Sequence, residues 1–147
     1  MPRVQRGFTL IELLIVLGIM GILASVVLVA INPTRQLSAA GDAFRHSTIK
    51  ELRDAQMQHL LDAGSFAADK TIPNGAGNAL PICRHTQTDA GCINVDTLVP
   101  AYVSCLPLDG RESNPKFTGY LMYLDNGRVQ IVSSHLGLGS GANGGCE

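Results

Sequence analysis

An uninterrupted apolar segment near the N-terminus constrains this chain more than any other feature. Residues 8–31 form a run of 24 residues that contains a single charged side chain, Glu12. As an α-helix this run would be about 36 Å long, enough to cross the ~30 Å hydrocarbon core of a bilayer. It is longer than the apolar region of a conventional secretory signal and longer than a typical buried core helix. We therefore predict a membrane-spanning segment.

Basic residues before this run predict its orientation in the membrane. Arg3 and Arg6 lie in residues 1–7, a stretch that contains no acidic residue. Positively charged flanks of a membrane segment remain on the cytoplasmic side. We predict a single-pass cell-membrane protein with a cytoplasmic N-terminus and with its C-terminal part outside.

The residues Gly7-Phe8-Thr9-Leu10-Ile11-Glu12 closely resemble the processing site of type IV prepilins and pseudopilins. In that family a dedicated peptidase cuts after the glycine and methylates the new N-terminal amine. The resemblance covers about the first thirty residues. It implies cleavage after Gly7, N-methylation of Phe8, and an assembly role for Glu12, the fifth residue of the mature chain. In the family this glutamate pairs with the N-terminal amine of a neighbouring subunit.

The resemblance also implies the fold, which is α+β and pilin-like. A long N-terminal helix, membrane-spanning in its first half and amphipathic in its second, packs on a small antiparallel β-sheet head. The chain then divides into a leader peptide (1–7), the transmembrane and assembly half of the helix (8–31), its amphipathic half (32–64), and a globular head (65–147) with disulfide-tied loops and a β-hairpin.

The residues after the apolar run continue a helical pattern. Asn32-Pro33 predicts a break, since proline lacks a backbone donor and clashes with the preceding turn. Gly64 is the predicted helix end. An apolar stripe at steps of three and four residues is predicted to face the head: Leu37, Ala40, Phe44, Thr48, Leu52, Ala55 and His59. We interpret His59 as a partly buried residue of this stripe rather than as a ligand. We also predict that most of the charged residues lie off the stripe: Asp42, Arg45, Lys50, Arg53 and Asp54.

The head sequence predicts loops followed by one hairpin. Residues 67–95 are rich in Gly, Pro, Asn, Thr and Asp, which is typical of irregular loop. Residues 98–103 include a proline and predict an isolated helical turn or an edge segment rather than a central strand. Residues 118–124 and 128–133 flank Asp125-Asn126-Gly127, which predicts an antiparallel hairpin.

Four cysteines lie in the last half of the chain: Cys83, Cys92, Cys105 and Cys146. An even count in a small head beyond a membrane segment predicts two disulfides in an oxidising compartment. We prefer the pairs Cys83–Cys92 and Cys105–Cys146, although four cysteines allow three connectivities. The alternative is a zinc site that uses Cys83, His85, Cys92 and Cys105, but these cysteine spacings match no compact zinc motif.

The sequence predicts neither an enzyme nor a cofactor. It contains no nucleophile elbow, no zinc signature and no paired-carboxylate motif. The glycine-rich residues 137–145 lack the Lys-Ser/Thr ending of a phosphate loop, so we interpret them as a terminal segment tied by Cys146. Calcium is a weak alternative, because major pseudopilins often bind it through head loops. Asp109, Asp125 and Asn126 are available here, but without ordered ligand spacing.

Charge argues against a nucleic-acid partner. The formal charge of −1 becomes −3 without the leader, with nine basic against twelve acidic residues. Such a chain has no bulk electrostatic reason to bind a polyanion.

The resemblance implies a structural subunit of a type IV pilus or pseudopilus-like extracellular filament. The implied partners are further copies of the chain, related minor pilins, prepilin peptidase, the pilus assembly platform in the inner membrane, and the membrane itself before assembly. One alternative is a pseudopilin of type II secretion or DNA uptake, because residues 62–66 are similar to the helix exit of major pseudopilins. The other is a single-pass membrane-anchored binding or enzymatic domain.

Overall fold

The computed structural model describes residues 7–136. This part of the chain belongs to two compact units, which divide between Gln36 and Leu37. The first unit contains the apolar segment. The second contains most of a further helix and the head.

Helix α1 covers Leu10–Ile31 and begins after the N-cap residue Thr9. All of its residues are exposed in the isolated chain. Its 22 residues span about 33 Å. The helix ends at Asn32, which has left-handed dihedral angles (φ 45°, ψ 73°). The break predicted at Asn32-Pro33 is therefore confirmed.

Helix α2 covers Pro33–Ala63. Gly64 follows it with φ +73°, and its N–H donates to the Leu60 carbonyl at 2.9 Å. A glycine in this conformation ends a helix without the steric penalty that a Cβ would add. The predicted helix end at Gly64 is confirmed.

The buried face of α2 agrees with the predicted stripe only in its second half. Thr48 is buried as predicted, and so are the two stripe residues that follow it, while His59 is partly buried. Leu37, Ala40 and Phe44 are exposed, so the prediction is wrong there. It is also wrong for Arg45, which has no exposed surface. The buried residues are Gly41, Arg45, Thr48, Leu52, Ala55 and Gln56.

The head contains a three-stranded antiparallel sheet in the order β1-β2-β3. The strands are β1 (Leu80–Cys83), β2 (Phe117–Asp125) and β3 (Arg128–Ser133). Strands β2 and β3 form the predicted hairpin, whose turn residues Asn126 and Gly127 both have positive φ, as a two-residue hairpin turn requires.

Strand β1 corrects the prediction that residues 67–95 are irregular throughout. It is a four-residue edge strand that contains Pro81 and an irregular register, so its own sequence has little strand character. Its hydrogen bonds come from the distant strand β2 and, on the other side, from the backbone of Ile93. Residues 98–103, by contrast, contain no strand, as predicted; Asp96–Leu98 form a short 3₁₀ turn there.

The core lies between α2, the sheet and the connecting loops. Gln56 joins the helix to the loop that follows it, since its amide donates to the Ala67 carbonyl and accepts from the Ala67 N–H, both at 2.9 Å. The predicted α+β fold, a long N-terminal helix followed by a small antiparallel sheet, is confirmed. The largest buried apolar side chains are Leu52, Ile82, Ile93, Val95, Leu98, Leu106, Tyr120 and Met122.

Candidate functional site

The start of α1 is a capping box built from Thr9 and Glu12. The Glu12 carboxylate accepts hydrogen bonds from the Thr9 N–H at 2.9 Å and from the Thr9 hydroxyl at 2.7 Å. In return, the Glu12 N–H donates to the Thr9 hydroxyl oxygen at 3.3 Å. This reciprocal arrangement satisfies backbone donors that a helix start leaves unpaired.

Sequence reasoning selected Glu12 and missed Thr9. The signal was present, because Thr9 and Glu12 have the Ser/Thr-x-x-Glu spacing that marks a capping box before an apolar run. The cap gives the glutamate a partner within its own chain. It also holds the carboxylate at the positive end of the helix dipole, where a negative charge is stabilised.

The peptide bond between Gly7 and Phe8 precedes the helix. Both residues are exposed, and the Phe8 side chain retains 86% of its accessible surface. A Cβ added at Gly7 would meet no atom within 4 Å. The fold therefore leaves this bond accessible, and none of the described residues requires a glycine there. The rest of the predicted leader, residues 1–6, and the candidates Arg3 and Arg6 lie outside the described residues.

Helix α1 has the properties of a membrane anchor. Within residues 7–136 it is the one helix long and apolar enough to cross a bilayer. The hydroxyl of Ser25 in α1 donates to the Ile22 carbonyl at 2.7 Å. The hydroxyl therefore has a hydrogen-bond partner within the helix, which a polar group in the hydrocarbon core of a bilayer needs.

A family model of the prokaryotic N-terminal methylation motif matches residues 2–28. The chain therefore carries at its N-terminus the methylation motif that is found in type IV pilin-like proteins. The matched segment includes Gly7, Phe8 and the whole Thr9–Glu12 capping box, together with most of α1. Searches of the curated proteins and of the solved structures found no match.

Helix α2 and the head share a buried ion pair that the sequence did not reveal. Arg45 Nε donates to Asp109 Oδ2 at 2.7 Å, and Arg45 Nη2 donates to Asp109 Oδ1 at 3.1 Å. Neither side chain has exposed surface. Arg45 Nη1 also donates to Asp42 at 3.0 Å, and the Ser133 hydroxyl donates to Asp109 at 3.2 Å. The network therefore ties α2 to the loop at Asp109 and to the end of β3.

Hydrogen bonds keep this pair ionised. The hydrogen bonds to Asp109 raise the pKa of Arg45. Burial acts to raise the pKa of Asp109, but hydrogen bonds from Arg45 and from the Arg111 N–H outweigh it, so that this pKa lies below its ordinary value. The backbone of β2 also packs closely against Asp109, because a Cβ at Gly119 (φ +88°) would lie 2.6 Å from the Asp109 Cβ.

The residues considered for calcium do not form one ligand set. Asp109 is engaged by Arg45, whereas Asp125 and Asn126 lie at the turn between β2 and β3. Among residues 7–136, no group of three or more His, Cys, Asp and Glu side chains is placed to hold a metal ion.

The structure pairs Cys83 with Cys92, which is the pairing preferred from the sequence. The bond leaves neither sulfur free for the alternative zinc site, and His85 lies 2.9 Å from Asp96. Cys105 is also disulfide-bonded, but its predicted partner Cys146 lies outside the described residues.

His59 is not placed as a ligand. Its Nδ1 lies 2.8 Å from the Ser65 carbonyl oxygen, to which it donates, and its ring packs edge-on against Tyr102. The contact fastens the end of α2 to the loop that follows.

Replacing both Cys83 and Cys92 with serine is expected to destabilise the head by about 2–3 kcal/mol, from the loop-closure entropy of a loop this short. The bond closes a sequence separation of nine residues. Thermal unfolding followed by near-UV circular dichroism, which reports on the buried Tyr120, measures the effect. An unchanged unfolding temperature would show that the loop is held by its other contacts alone.

Proposed function

We propose that this protein is a structural subunit of an extracellular type IV pilus or pseudopilus-like filament. The observation that carries the proposal is the methylation motif, whose glutamate lies in the first turn of an apolar helix that is exposed on every side. A helix of this kind needs an apolar environment around its whole circumference. Lipid provides that environment before assembly, and the α1 helices of neighbouring subunits provide it in the filament.

Two independent features support the proposed topology. Arg3 and Arg6 favour a cytoplasmic N-terminus. The Cys83–Cys92 disulfide favours an oxidising compartment for the head. Prepilin peptidase then acts at the cytoplasmic face, and the head is already outside when the subunit enters the filament. Further copies, related minor pilins and the inner-membrane assembly platform are the proposed partners.

Glu12 is the proposed assembly residue. In the single chain its carboxylate is hydrogen-bonded by Thr9. When α1 leaves lipid and packs among other helices, the carboxylate needs a cationic partner, because an unpaired charge in an apolar bundle is strongly unfavourable. The amine of Phe8 on an adjacent subunit provides that charge after cleavage, since methylation leaves it positive.

A pseudopilin of type II secretion or DNA uptake is the second candidate. The similarity of residues 62–66 to the helix exit of major pseudopilins favours it. Deleting the chain and then measuring surface filaments, secreted protein and DNA uptake in the same cells separates the two. Loss of surface filaments with secretion and uptake intact would support the pilus and contradict the pseudopilin.

Gly7→Leu is expected to block leader removal, because the peptidase must accommodate this residue next to the bond that it cuts. Most of the variant chain should then begin at Met1 in mass spectrometry of the intact protein. Gly18→Leu is the matched control: it makes the same change at an exposed glycine within α1, and it should be cleaved normally.

A mature chain that begins at Phe8 in the Gly7→Leu variant would contradict the proposed cleavage site. If the unsubstituted protein itself keeps Met1, the membrane-anchored domain becomes the better explanation. An N-methylated Phe8 in the unsubstituted protein supports the filament subunit.

A further inference from the structure

Three cations without a carboxylate partner lie together where α2 packs on strand β3. Among residues 37–136, the described part of the second unit, the exposed residues Lys50, Arg53 and Arg128 form no ion pair. Arg45 and Lys116, by contrast, each pair with an aspartate. These three unpaired charges therefore lie in one region of the surface.

These three cations line one groove of about 670 Å³, formed by residues of α2 and of β3. Three apolar residues, Ile49, Met57 and Val129, also line this basic groove, and Asp54 is its single carboxylate. Among the described lining residues His46 is the one with an aromatic ring, so the groove lacks the series of stacking platforms that single-stranded nucleic acid prefers. A groove with both apolar and cationic groups is instead complementary to a partner surface on which an apolar side chain lies next to a carboxylate.

The C-terminal end of α2 presents such a pair. Leu61 retains 80% of its accessible surface, and the exposed Asp62 follows it. The Tyr102 hydroxyl donates to Asp62 Oδ2 at 2.9 Å and holds the carboxylate in place. The last turn of α2, which lies wholly within the described residues, has no basic side chain to offset the negative end of the helix dipole. We name Leu61 and Asp62 the acidic helix end.

We propose that the basic groove of one subunit receives the acidic helix end of a second copy of this chain. The proposal rests on the filament function proposed above. Without its leader the chain has nine basic and twelve acidic residues, and three of the basic ones lie in the groove. Outside the groove the chain therefore has more acidic than basic residues. A second copy thus offers negative charge to the positively charged groove.

The two surfaces differ, so their contact is head-to-tail. An interface of this kind builds a ring when its rotation closes and an open helical series when it does not, whereas a contact between identical patches closes as a dimer. The proposed filament requires the open series. Arg53 and Asp62 are nine residues apart on α2, which is about 14 Å along the helix axis. Bound in this way, each subunit would be displaced along its neighbour by a distance of this order.

A charge exchange in the full-length protein tests the contact. Asp62→Lys and Arg53→Glu are each expected to reduce the yield of sheared filaments at least tenfold, because each places like charges together. The double variant Arg53→Glu/Asp62→Lys restores opposite charges and should recover most of the wild-type yield. Glu51→Lys, which makes the same charge change at an exposed α2 residue outside the groove, is the control and should assemble normally.

Leader cleavage and the membrane-bound amount of each variant are measured in the same cells, so that loss of filaments is separated from loss of protein. Normal filaments from both single variants, or a double variant no better than the weaker single one, would overturn this interface and leave the filament function standing. Absence of filaments from the wild-type chain would overturn the filament function, and this interface with it.

Discussion

Replacing Glu12 with leucine is expected to abolish filament assembly while the subunit still inserts into the membrane and loses its leader. Insertion should persist because Glu12 is only four residues from Phe8, about 6 Å along the helix, where water and lipid headgroups can reach it. Cleavage should persist because Gly7 and Phe8 are unchanged. Electron microscopy of cells, with immunoblots of membrane and sheared fractions, measures the three steps separately.

Assembly should fail because the leucine leaves the Phe8 amine of the neighbouring subunit without a counter-charge. Removing one partner of a buried ion pair typically costs about 3–5 kcal/mol, since the other charge stays desolvated. The proposed pair would also check register, because a subunit that docked at the wrong height would leave both charges unmatched. A filament repeats this contact at every subunit, so the penalty is repeated along its whole length.

The Glu12→Leu variant also loses the capping box, and a second variant separates the two effects. Thr9→Val removes the side-chain cap but keeps the Glu12 carboxylate. Loss of a cap costs about 1 kcal/mol, so Thr9→Val should still build filaments. Normal numbers and lengths of filaments from Glu12→Leu would refute the pairing role. Failure of both variants would instead assign the effect to the helix start.

The helix boundaries in the N-terminal half of the molecule could be predicted from the sequence because they are decided locally. An apolar run, a proline and a cleavage motif each act within a few neighbouring residues. The break at Asn32 and the helix end at Gly64 were predicted for the same reason, since each depends on backbone preferences at the position itself. The capping role of Thr9 was equally local, and the spacing to Glu12 would have revealed it.

The head was less predictable because its structure depends on contacts between distant residues. Strand β1 (Leu80–Cys83) has a weak pattern of its own and forms because β2 and the backbone of Ile93 pair with it. A charged residue on a helix is normally solvated, so Arg45 was assigned to the exposed face. Its partner Asp109 is 64 positions away, and no local pattern connects the two.

The second large effect is expected at this ion pair. Arg45→Met should destabilise the head by about 3–5 kcal/mol, because it leaves the Asp109 carboxylate buried without its cation. Methionine retains much of the side-chain volume, so the loss reports the charge more than a cavity. Near-UV circular dichroism of the unassembled protein in detergent follows unfolding of the head through Tyr120.

A double variant tests whether the penalty comes from the unpaired charge. Arg45→Met/Asp109→Leu removes both charges, and exchange of a whole buried pair for apolar groups is often close to neutral. It should therefore recover much of the stability that Arg45→Met loses. Arg53→Met is the control for removing an exposed cation from the same helix, and it should change stability by no more than about 0.5 kcal/mol.

The same pair makes the head sensitive to acid. Because the pKa of Asp109 is lower in the folded chain than its unfolded value of ~3.9, the pair contributes stability above that pH. The contribution is lost as the pH falls below ~3.9 and through the lowered folded pKa, where the carboxylate becomes protonated. Arg45 remains charged throughout, so Asp109 alone titrates within the pair. The Arg45→Met/Asp109→Leu variant should therefore lose less stability than wild type between pH 5 and pH 2, and an identical acid dependence in the two proteins would exclude Asp109 as the titrating group.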